Sequence, residues 1–384
     1  MVNMFKKLSL FVVSMLLLAG CAAAEPASPT ATPTVPPTPT PQPGTGSVLW
    51  TFGTGDAIWS SPIVNNGVVY FGSDDMSLYA VDTTTHQLRW KFATGGVIRS
   101  RPAVADSMVY VSSDDGVLHA LEASSGTEKW NAAIGSANVR TGGKDDVGMG
   151  YDYQQSSPTV ADGVVYVGSG AAEVDAFEAA TGKQVWRFET ASRVRSTPAI
   201  SDGKVFVGDG SGLLHALDAK TGSELWNAQG CDIPSPAVSN GLVYCGSRGT
   251  LEVRAWDIQT GELRWQFSAG HSWVDSSPRV VDGTLYIGSS DAATLFALNP
   301  QTGELKWKFN LGGYAWCTPA VSQGVVYIGS FMPGVTGNFY AVDAQTGQQK
   351  WTLPVPYGVV SSPVVVDGII YFGGMDGNLY VVQG

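Results

Sequence analysis

Residues 265–307 read WQFSAGHSWVDSSPRVVDGTLYIGSSDAATLFALNPQTGELKW. The stretch holds short runs in which apolar residues alternate with others, and Gly, Pro, Asp or Asn bounds each run. Alternation with a period of two is typical of β-strands, and the bounding residues are typical of tight turns. The stretch therefore predicts a unit of four antiparallel strands, with 284–289 and 294–299 as its second and third strands.

The same unit recurs along the chain, and a tryptophan marks each copy. The marker residues are Trp50, Trp90, Trp130, Trp186, Trp226, Trp265, Trp307 and Trp351. A four-stranded unit of this length is one blade of a β-propeller, and it buries its faces only by stacking on neighbours in a ring. We predict an all-β, eight-bladed propeller in which the tryptophans fill the space between blades. An aspartate after the third strand (Asp82, Asp218, Asp343) is expected to cap the next turn.

The two ends of the repeat region are predicted to build the last blade together. The unit that begins at Trp351 stops at Gly384 without its T-G-x-x-x-W segment. A matching segment, TGSVLW, occupies residues 45–50 and aligns with TGKQVW at residues 181–186. We expect this N-terminal strand to complete the last blade and to cover its open edge.

The recurring phrases carry a family resemblance. They are Ser-Ser-Pro, V-x-x-G-x-V-Y-x-G-S, L-x-A-L-D and T-G-x-x-x-W, and with them residues 45–384 resemble the pyrroloquinoline quinone (PQQ)-like repeat. The resemblance implies the eight-bladed propeller of the quinoprotein alcohol dehydrogenase-like superfamily. Non-enzymatic envelope lipoproteins share this propeller, and the chain is similar to one group of them, the propeller lipoproteins of the outer-membrane barrel-assembly machinery. The fold alone does not choose between enzyme and lipoprotein.

The N-terminus carries a targeting signal. Lys6 and Lys7 precede an apolar run over residues 8–18, which is short for a membrane span and suits a secretory signal. The run ends in LAGC, residues 18–21, which resembles a bacterial lipobox. That resemblance implies cleavage before Cys21 and a lipid on this cysteine.

Composition completes the domain organisation. We predict a lipoprotein signal peptide over residues 1–20, a Pro/Thr-rich extended tether over 21–44 and the propeller over 45–384. The protein is then extracytoplasmic, lipid-anchored to a bacterial membrane in the cell envelope, and a monomeric propeller. The net charge of −11 excludes nucleic acid as a partner, because a nucleic-acid binder needs a basic face.

The sequence carries no assembled catalytic signature. H-E-x-x-H, C-x-x-C, G-x-S-x-G and the P-loop are absent. The resemblance adds that quinoprotein alcohol dehydrogenases carry a vicinal cysteine pair over the cofactor, and this chain has none. We expect no catalytic residue, no metal and no cofactor, with PQQ and Ca²⁺ required only if the protein is an enzyme.

Cysteines and histidines are interpreted as structural. Cys317 stands where most units have serine, which predicts a small buried residue. We do not expect a bridge between Cys231 and Cys245, although both fall in one unit. His119 and His215 are predicted to be packed in third strands with one hydrogen bond each.

Two further residues stand near places where chemistry could occur. His271 is the one candidate proton shuttle, because it falls on the same side of its unit as the variable residues described next. Asp74 falls in a recurrent turn and is interpreted as a turn former.

The residues just before each repeat proline vary most, and we predict that they surround the mouth of the central channel. This funnel comprises positions three or five residues before the proline. Its candidate ligand residues are Trp59, Arg99, Tyr153, Gln155, Arg195, Trp273, Asp275, Tyr314 and Trp316. Such a funnel can stack a planar or sugar-like ring and hold an anion. Alternatively, these side chains only fill the channel mouth, with arginine paired to Asp275 or to water.

One insertion interrupts the regular spacing, between Trp130 and Trp186. It is polar and Gly-rich, and its position before the innermost strand places it on the funnel face. Its candidate docking residues are Lys144, Asp145, Asp146 and Tyr151. The aspartates do not have the spacing of a Ca²⁺ loop, so we interpret them as solvated charge on a lid or docking loop.

These observations predict a non-catalytic, lipid-anchored propeller that acts as a protein-binding or scaffold module for envelope proteins. One alternative is a PQQ- and Ca²⁺-dependent quinoprotein dehydrogenase of an alcohol or sugar, with Asp275 as base and Trp316 or Trp273 stacked on the cofactor. The other is a solute- or glycan-binding receptor that uses the aromatic and arginine side chains of the funnel, including Trp59.

Overall fold

Thirty-two β-strands occupy the residues that the structure, a computed structural model, describes, which are 44–134 and 155–384. The first sixteen are β1 Val48–Gly53, β2 Ile63–Asn65, β3 Val68–Ser73, β4 Ser77–Asp82, β5 Leu88–Ala93, β6 Ala103–Ala105, β7 Met108–Ser112, β8 Val117–Glu122, β9 Glu128–Ala133, β10 Thr159–Ala161, β11 Val164–Gly168, β12 Glu173–Glu178, β13 Gln184–Glu189, β14 Ala199–Ser201, β15 Lys204–Gly208 and β16 Leu213–Asp218. The others are β17 Glu224–Gln229, β18 Ala237–Ser239, β19 Leu242–Gly246, β20 Glu252–Asp257, β21 Leu263–Ser268, β22 Arg279–Val281, β23 Thr284–Gly288, β24 Thr294–Leu298, β25 Leu305–Asn310, β26 Ala320–Ser322, β27 Val325–Gly329, β28 Gly337–Asp343, β29 Gln349–Val355, β30 Val364–Val366, β31 Ile369–Gly373 and β32 Asn378–Gln383.

These strands form eight antiparallel sheets of four, and each sheet is one blade. Blades 1 to 7 are β2–β5, β6–β9, β10–β13, β14–β17, β18–β21, β22–β25 and β26–β29, and blade 8 is β30–β32 with β1. The innermost strand of each blade has three residues, and inner strands of neighbouring blades contact one another, as β2 does with both β6 and β30. The predicted eight-bladed propeller is confirmed. No helix in the described ranges is long and apolar enough to cross a membrane.

The ring closes as predicted. β1 pairs antiparallel with β32, so that Trp50 lies opposite Val381 and Gly53 lies opposite Asn378. Just before β1, the backbone N–H of Gly46 donates to the carbonyl of Gln383 over 2.8 Å. The N-terminal strand therefore occupies the edge that blade 8 would otherwise leave open.

The hydrophobic core lies between blades. Each cluster combines facing side chains of two neighbouring sheets, as Val253 and Ala255 of blade 5 pack with Leu285 and Ile287 of blade 6. The second and third strands of each blade are mostly buried, whereas the outer strands alternate between exposed and less exposed residues. A single blade would leave this apolar surface in water, so the closed ring is the folding unit.

Each marker tryptophan docks on the next blade. The indole Nε1 of Trp90 donates to the carbonyl of Ala123 over 2.9 Å, and its ring covers Gly126. A Cβ added at Gly126 would lie 2.7 Å from the Trp90 ring, and the glycine φ is +71°. The same pairing recurs in Trp130–Gly182, Trp186–Gly222, Trp226–Gly261, Trp265–Gly303, Trp307–Gly347 and Trp351–Gly46. The glycine of T-G-x-x-x-W is thus required both for its backbone conformation and for the space it leaves.

Blade 1 makes this joint differently. His86 occupies the glycine position with φ +61°, and its imidazole stacks on Trp50 with ring centroids 4.6 Å apart. Trp50 belongs to β1, so this stack joins blade 8 to blade 1. A planar ring lying flat on the indole replaces the bare glycine backbone at the place where the chain closes on itself.

The two serines of Ser-Ser-Pro have different structural roles. The first is buried: Ser156 Oγ donates to the carbonyl of Ser196 in the next blade and accepts from the N–H of Gly168. The hydroxyl of the second accepts an N–H from the preceding blade, and we call these bonds the serine collar. The collar bonds run from the N–H of Arg101 to Ser157, Ser157 to Thr197, Thr197 to Ser235, Ser235 to Ser277, Thr318 to Ser362 and Ser362 to Ser61.

The aspartate caps are also confirmed. Asp82 Oδ1 accepts the N–H groups of Thr84 and Thr85, and Asp218 and Asp343 repeat the pattern. These hydrogen bonds lower the pKa of Asp82 well below the usual range, because they stabilise its ionised form.

The expectation for Cys231 and Cys245 was wrong. They form a disulfide in blade 5 with their Cα atoms 5.4 Å apart. This blade has Pro234 in place of the first serine, so it lacks the hydroxyl that ties the inner loop to the end of the second strand elsewhere. The disulfide supplies this tie. The separation of 14 residues did not reveal it, because the loop before β18 folds back beside the end of β19 only in the tertiary structure.

Cys317 is buried as predicted. It takes the place of the first serine in blade 7, and its Sγ accepts the N–H of Gly329 over 3.3 Å. Burial raises the pKa of the Cys317 thiol to about 12. The residue is a packed thiol that reproduces the serine hydrogen bond of the other blades.

Two glycines of blade 4 test the tryptophan docking. Gly203 and Gly222 have φ of +70° and +72°, but a Cβ at Gly203 meets nothing within 4 Å, whereas at Gly222 it lies 2.7 Å from Trp186. We expect Gly203→Ala to cost about 1 kcal/mol of unfolding free energy through the backbone alone. Gly222→Ala should cost about 2 kcal/mol more, because the indole must move. Urea denaturation of both variants measures the difference, and equal losses would contradict the docking argument.

Removal of the disulfide provides a second test. The double variant Cys231→Ala/Cys245→Ala should lose about 3 kcal/mol of unfolding free energy, since the bridge restricts the unfolded chain over a short loop. Cys317→Ser, which restores the residue that most blades have, is the matched control and should change little. Denaturation curves under non-reducing conditions give both values. An unchanged midpoint in the double variant would show that the bridge is dispensable.

Candidate functional site

The inner strands enclose a central cavity of about 830 Å³, and residues of all eight blades line it. In the segment just before each inner strand, the residue one before the repeat proline lines the cavity in every blade. The residue three before the proline does so in every blade except blade 5, where Ile233 is buried, and the residue between these two positions is buried between blades. Ser156, for example, is 2% exposed, whereas its neighbours Gln155 and Ser157 line the cavity. Alternation along this segment thus separates structural residues from channel residues.

Most of the predicted funnel residues meet at this channel. Those that line the cavity are Trp59, Arg99, Gln155, Arg195, Asp275 and Trp316. Trp273 and Tyr314 are not in the lining and lie beside Arg248 and Trp316. The predictions for Tyr153, for the docking loop (Lys144, Asp145, Asp146, Tyr151) and for the lipid site at Cys21 lie outside the described residues.

Arg99 forms a nearly buried ion pair with Asp74. The Nη2–Oδ2 distance is 2.6 Å, and each side chain is 7% exposed. The guanidinium also lies 4.6 Å from the ring centroid of Trp59. Asp74, interpreted from the sequence as a turn former, therefore holds Arg99 in place at the channel mouth.

Asp275 is buried and bonded to Arg248, whose guanidinium lies 5.4 Å from the ring of Trp273. Burial raises the pKa of Asp275, and the charge of Arg248 opposes the rise. The dehydrogenase alternative assigned this carboxylate the role of a base. In residues 44–134 and 155–384, no group of three or more His, Cys, Asp or Glu could hold a metal ion.

Gln155 connects two blades. Its Oε1 accepts the backbone N–H groups of Arg99 and Ser100, each over 2.9 Å. The side chain is 7% exposed. This arrangement gives Gln155 a positioning role, because it holds the loop that presents Arg99.

Four aromatic side chains form one continuous cluster at the channel mouth, which we call the aromatic ridge: Trp59, Tyr314, Trp316 and Phe331. The ring of Trp316 stacks on Tyr314 at 5.7 Å and on Trp59 at 6.2 Å, and lies 5.0 Å from Phe331. Tyr314 and Phe331 also exchange two backbone hydrogen bonds. Phe331 was not a predicted site residue. It begins a short expansion of the seventh unit, FMPGVTG at residues 331–337, and this departure from the repeat was the available signal.

The chain beside the ridge exposes further apolar side chains. Met332 and Val335 follow Phe331 and are 38% and 47% exposed, and Tyr357 is 61% exposed. Gly358, the residue after Tyr357, lies directly against the backbone of Phe331. Exposed apolar side chains therefore lie on the two chain segments, 331–335 and 357–358, that meet beside the ridge.

Two arginines of the channel were missed by the sequence reasoning. Arg101 stands one residue before its repeat proline, where every other unit has serine or threonine, and Arg279 stands one residue after its proline, where the others are uncharged. Both line the cavity. The signal was present as a break in the repeat, but the predicted funnel used only positions three and five residues before the proline.

Each packed histidine lies between two carboxylates: His215 makes two hydrogen bonds where one was predicted, and His119 makes the predicted one, with Glu128. His215 approaches Glu224 Oε1 at 2.7 Å through Nδ1 and Asp209 Oδ2 at 3.4 Å through Nε2, and His119 lies between Glu128 and Asp115 in the same way. Burial lowers the pKa of His215, but the two carboxylates outweigh it and the net shift is upward. His271, the candidate proton shuttle, is exposed and does not line the cavity.

The eight repeated blades, the tryptophan joints and the serine collar around the channel define a propeller built from PQQ-like repeats. A family model described as outer membrane protein assembly factor BamB matches residues 41–154, 150–269 and 249–384. The chain belongs to this family.

Solved structures with a similar fold include proteins of different kinds. BamB from Moraxella catarrhalis superposes with a TM-score of 0.71 at 18% identity, over 88% of this chain and 100% of that chain. The computationally designed Ika8 protein gives 0.71 at 20%, over 89% and 100%. A europium-containing methanol dehydrogenase gives 0.68 at 14%, over 88% and 93%. At these identities the likeness shows the fold alone. Comparison with curated proteins found no match.

The histidine–carboxylate contacts predict a pH dependence of stability. The folded pKa of His119 and His215 is raised above the ordinary 6.5, so the native state holds protons that the unfolded state releases. This contribution is complete below about pH 6.5 and is lost as the pH rises through the folded pKa. Each tenfold gain in proton affinity on folding is worth about 1.4 kcal/mol. We expect the wild-type unfolding free energy to fall between about pH 5.5 and about pH 8.5.

The double variant His119→Gln/His215→Gln should flatten that profile, because glutamine keeps a hydrogen-bond donor and does not titrate. Chemical denaturation at the two pH values gives the slope for each protein. His86 and His271 remain in both proteins, so they do not affect the difference. Parallel profiles would show that the neighbouring carboxylates do not raise the pKa of the two histidines.

Proposed function

We propose that the protein is a non-catalytic, protein-binding scaffold of the bacterial cell envelope, held at a membrane by lipid on Cys21. Membership of a family described as an outer membrane protein assembly factor supports the class of function. The envelope location also agrees with the secretory signal and lipobox of the N-terminus. The Cys231–Cys245 disulfide adds support, because such bonds persist in oxidising, extracytoplasmic compartments.

The observation that carries the proposal is the aromatic ridge with its exposed continuation. Single exposed apolar residues are ordinary on protein surfaces, but contiguous ones beside a rigid cluster are typical of docking sites. Tryptophan, tyrosine and methionine are enriched at protein interfaces. Met332, Val335 and Tyr357 therefore form the surface that a partner would cover.

The ridge is suited to a macromolecular partner more than to a planar cofactor. Trp316 is already stacked on Tyr314 and Trp59, and the guanidinium of Arg99 lies over Trp59. These contacts engage the ring faces that a stacked cofactor would need. They also fix the ridge in place, so that a partner would bind a preformed surface with little ordering cost.

Site-specific photo-crosslinking tests the proposal in membranes of the native host. A photoreactive aromatic residue at position 357 should capture a discrete envelope protein. The same residue at Leu225, which is 49% exposed on outer strand β17, is the matched control and should not capture it. Capture at position 357 should be lost when Met332 and Val335 are both replaced by serine, because the apolar contact is removed.

Two outcomes would contradict the scaffold. One is equal capture, or none, at positions 357 and 225. The other is tight uptake of PQQ with Ca²⁺ accompanied by reduction of a redox dye, which would favour a dehydrogenase. The anchor is tested in the same preparation, since Cys21→Ser should move the protein from the membrane to the soluble fraction.

A further inference from the structure

The central channel is positively charged in an acidic protein. Its charged lining residues are Arg99, Arg101, Arg195, Arg279 and Asp275, whereas the whole chain carries a net charge of −11. Arg99 is neutralised by Asp74 from outside the lining, and Asp275 is bonded to Arg248. Arginine thus predominates at the one place where all eight blades meet.

Arg101 and Arg279 form the central feature of this channel. Arg101 lies just before β6 of blade 2, and Arg279 begins β22 of blade 6. Blades 2 and 6 are four positions apart in a ring of eight, so the two arginines enter the channel from opposite sides. Both are solvent-exposed within the cavity lining. In the part of the chain that the structure describes, no ion pair joins either guanidinium to a carboxylate.

The two charges act on each other. The protein walls around the channel partly desolvate the Arg101 guanidinium and lower its pKa, and the positive charge of Arg279 lowers it further. Like charges held in a confined channel with low-dielectric walls produce a focused positive potential that draws in anions. A guanidinium also presents paired N–H donors that match carboxylate and phosphate oxygens.

Arg101 replaces a residue that accepts a hydrogen bond between blades in most of the ring. In six other blades the residue at its position supplies the hydroxyl of the serine collar, as Ser157 and Ser362 do for the blades before them. Arg101 has no hydroxyl, so the collar lacks this acceptor in blade 2. The Arg101 side chain lines the channel instead, at a repeat position where every other blade has serine or threonine.

We propose that the central channel binds a small multivalent anion, with its carboxylate or phosphate groups held between Arg101 and Arg279. The two opposed guanidiniums favour a ligand that carries at least two anionic groups. The cavity of about 830 Å³ admits a molecule of that size. This inference is independent of the docking surface at the aromatic ridge.

Titration calorimetry and thermal shift on the purified chain test the site with pyrophosphate, citrate and acetate at matched ionic strength. Pyrophosphate or citrate should bind the wild type and raise its melting temperature, and acetate should not. Comparison of pyrophosphate with citrate distinguishes phosphate from carboxylate as the preferred chemistry. Arg101→Ser and Arg279→Ala should each weaken binding at least about tenfold, and the double variant should not bind.

The variants are chosen so that the fold survives. Serine and alanine are the residues that other blades carry at these two positions, as at Ser157 and Ala199. Lys308→Gln removes an exposed cation from outer strand β25 and controls for net charge, so it should bind as the wild type does. Without added anion at low salt, the double variant should melt at a higher temperature than the wild type, because the repulsion is removed.

The proposal is overturned if neither pyrophosphate nor citrate binds the wild type. It is also overturned if the double variant binds as tightly as Lys308→Gln. The melting temperature of each variant without ligand shows that it is folded, so that a loss of binding is not mistaken for a loss of structure.

Discussion

The contact between an indole ring and a bare glycine backbone is the constraint on which this propeller depends. Each marker tryptophan after the first lies flat on the glycine of the next blade, with its N–H bonded in several blades to the adjacent turn, as Trp90 does to Ala123. The contact fixes both the distance and the angle between neighbouring sheets. Seven glycine joints and the Trp50–His86 stack repeat this geometry around the ring described by residues 44–134 and 155–384, so curvature accumulates until the ring closes.

The inner strands of this ring surround the central channel, which is the candidate site. The serine collar joins neighbouring blades, while alternation along the segment just before each inner strand separates structural residues from channel residues. The scaffold is therefore uniform, and the residues directed inward or toward the mouth are free to differ between blades. In blade 5, where Pro234 replaces the first serine, the Cys231–Cys245 disulfide takes the place of the missing hydrogen bond. Variation of the site is thus separated from stability of the ring.

The two proposed binding surfaces occupy different parts of the propeller. The aromatic ridge lies at the channel mouth with exposed Met332, Val335 and Tyr357 beside it, which suits a macromolecular partner. Arg101 and Arg279 lie in the channel, whose cavity of about 830 Å³ suits a small solute. Family membership agrees with protein binding at the ridge and gives no information about an anion in the channel. The same fold occurs in an assembly factor and in a methanol dehydrogenase, so the fold does not decide the function. The function therefore depends on the side chains that differ from blade to blade.

The sequence by itself determined the repeat, the number of blades and the closing strand, because these follow from local periodicity and turn residues. It found channel residues three before the repeat proline, such as Trp59 and Arg195, but missed Arg101 and Arg279. It also predicted Cys317 and the aspartate caps, which depend on contacts within one unit. Only the tertiary structure decided which side chains pair, because pairing depends on how loops fold back within a blade and on how blades stack on one another. Cys231 reaches Cys245 within blade 5, whereas Asp74 lies in its predicted turn but binds Arg99 of the next blade, and Asp275 reaches Arg248 of the preceding blade. Arg101 and Arg279 enter the channel from opposite blades, so they come together only once the ring has closed.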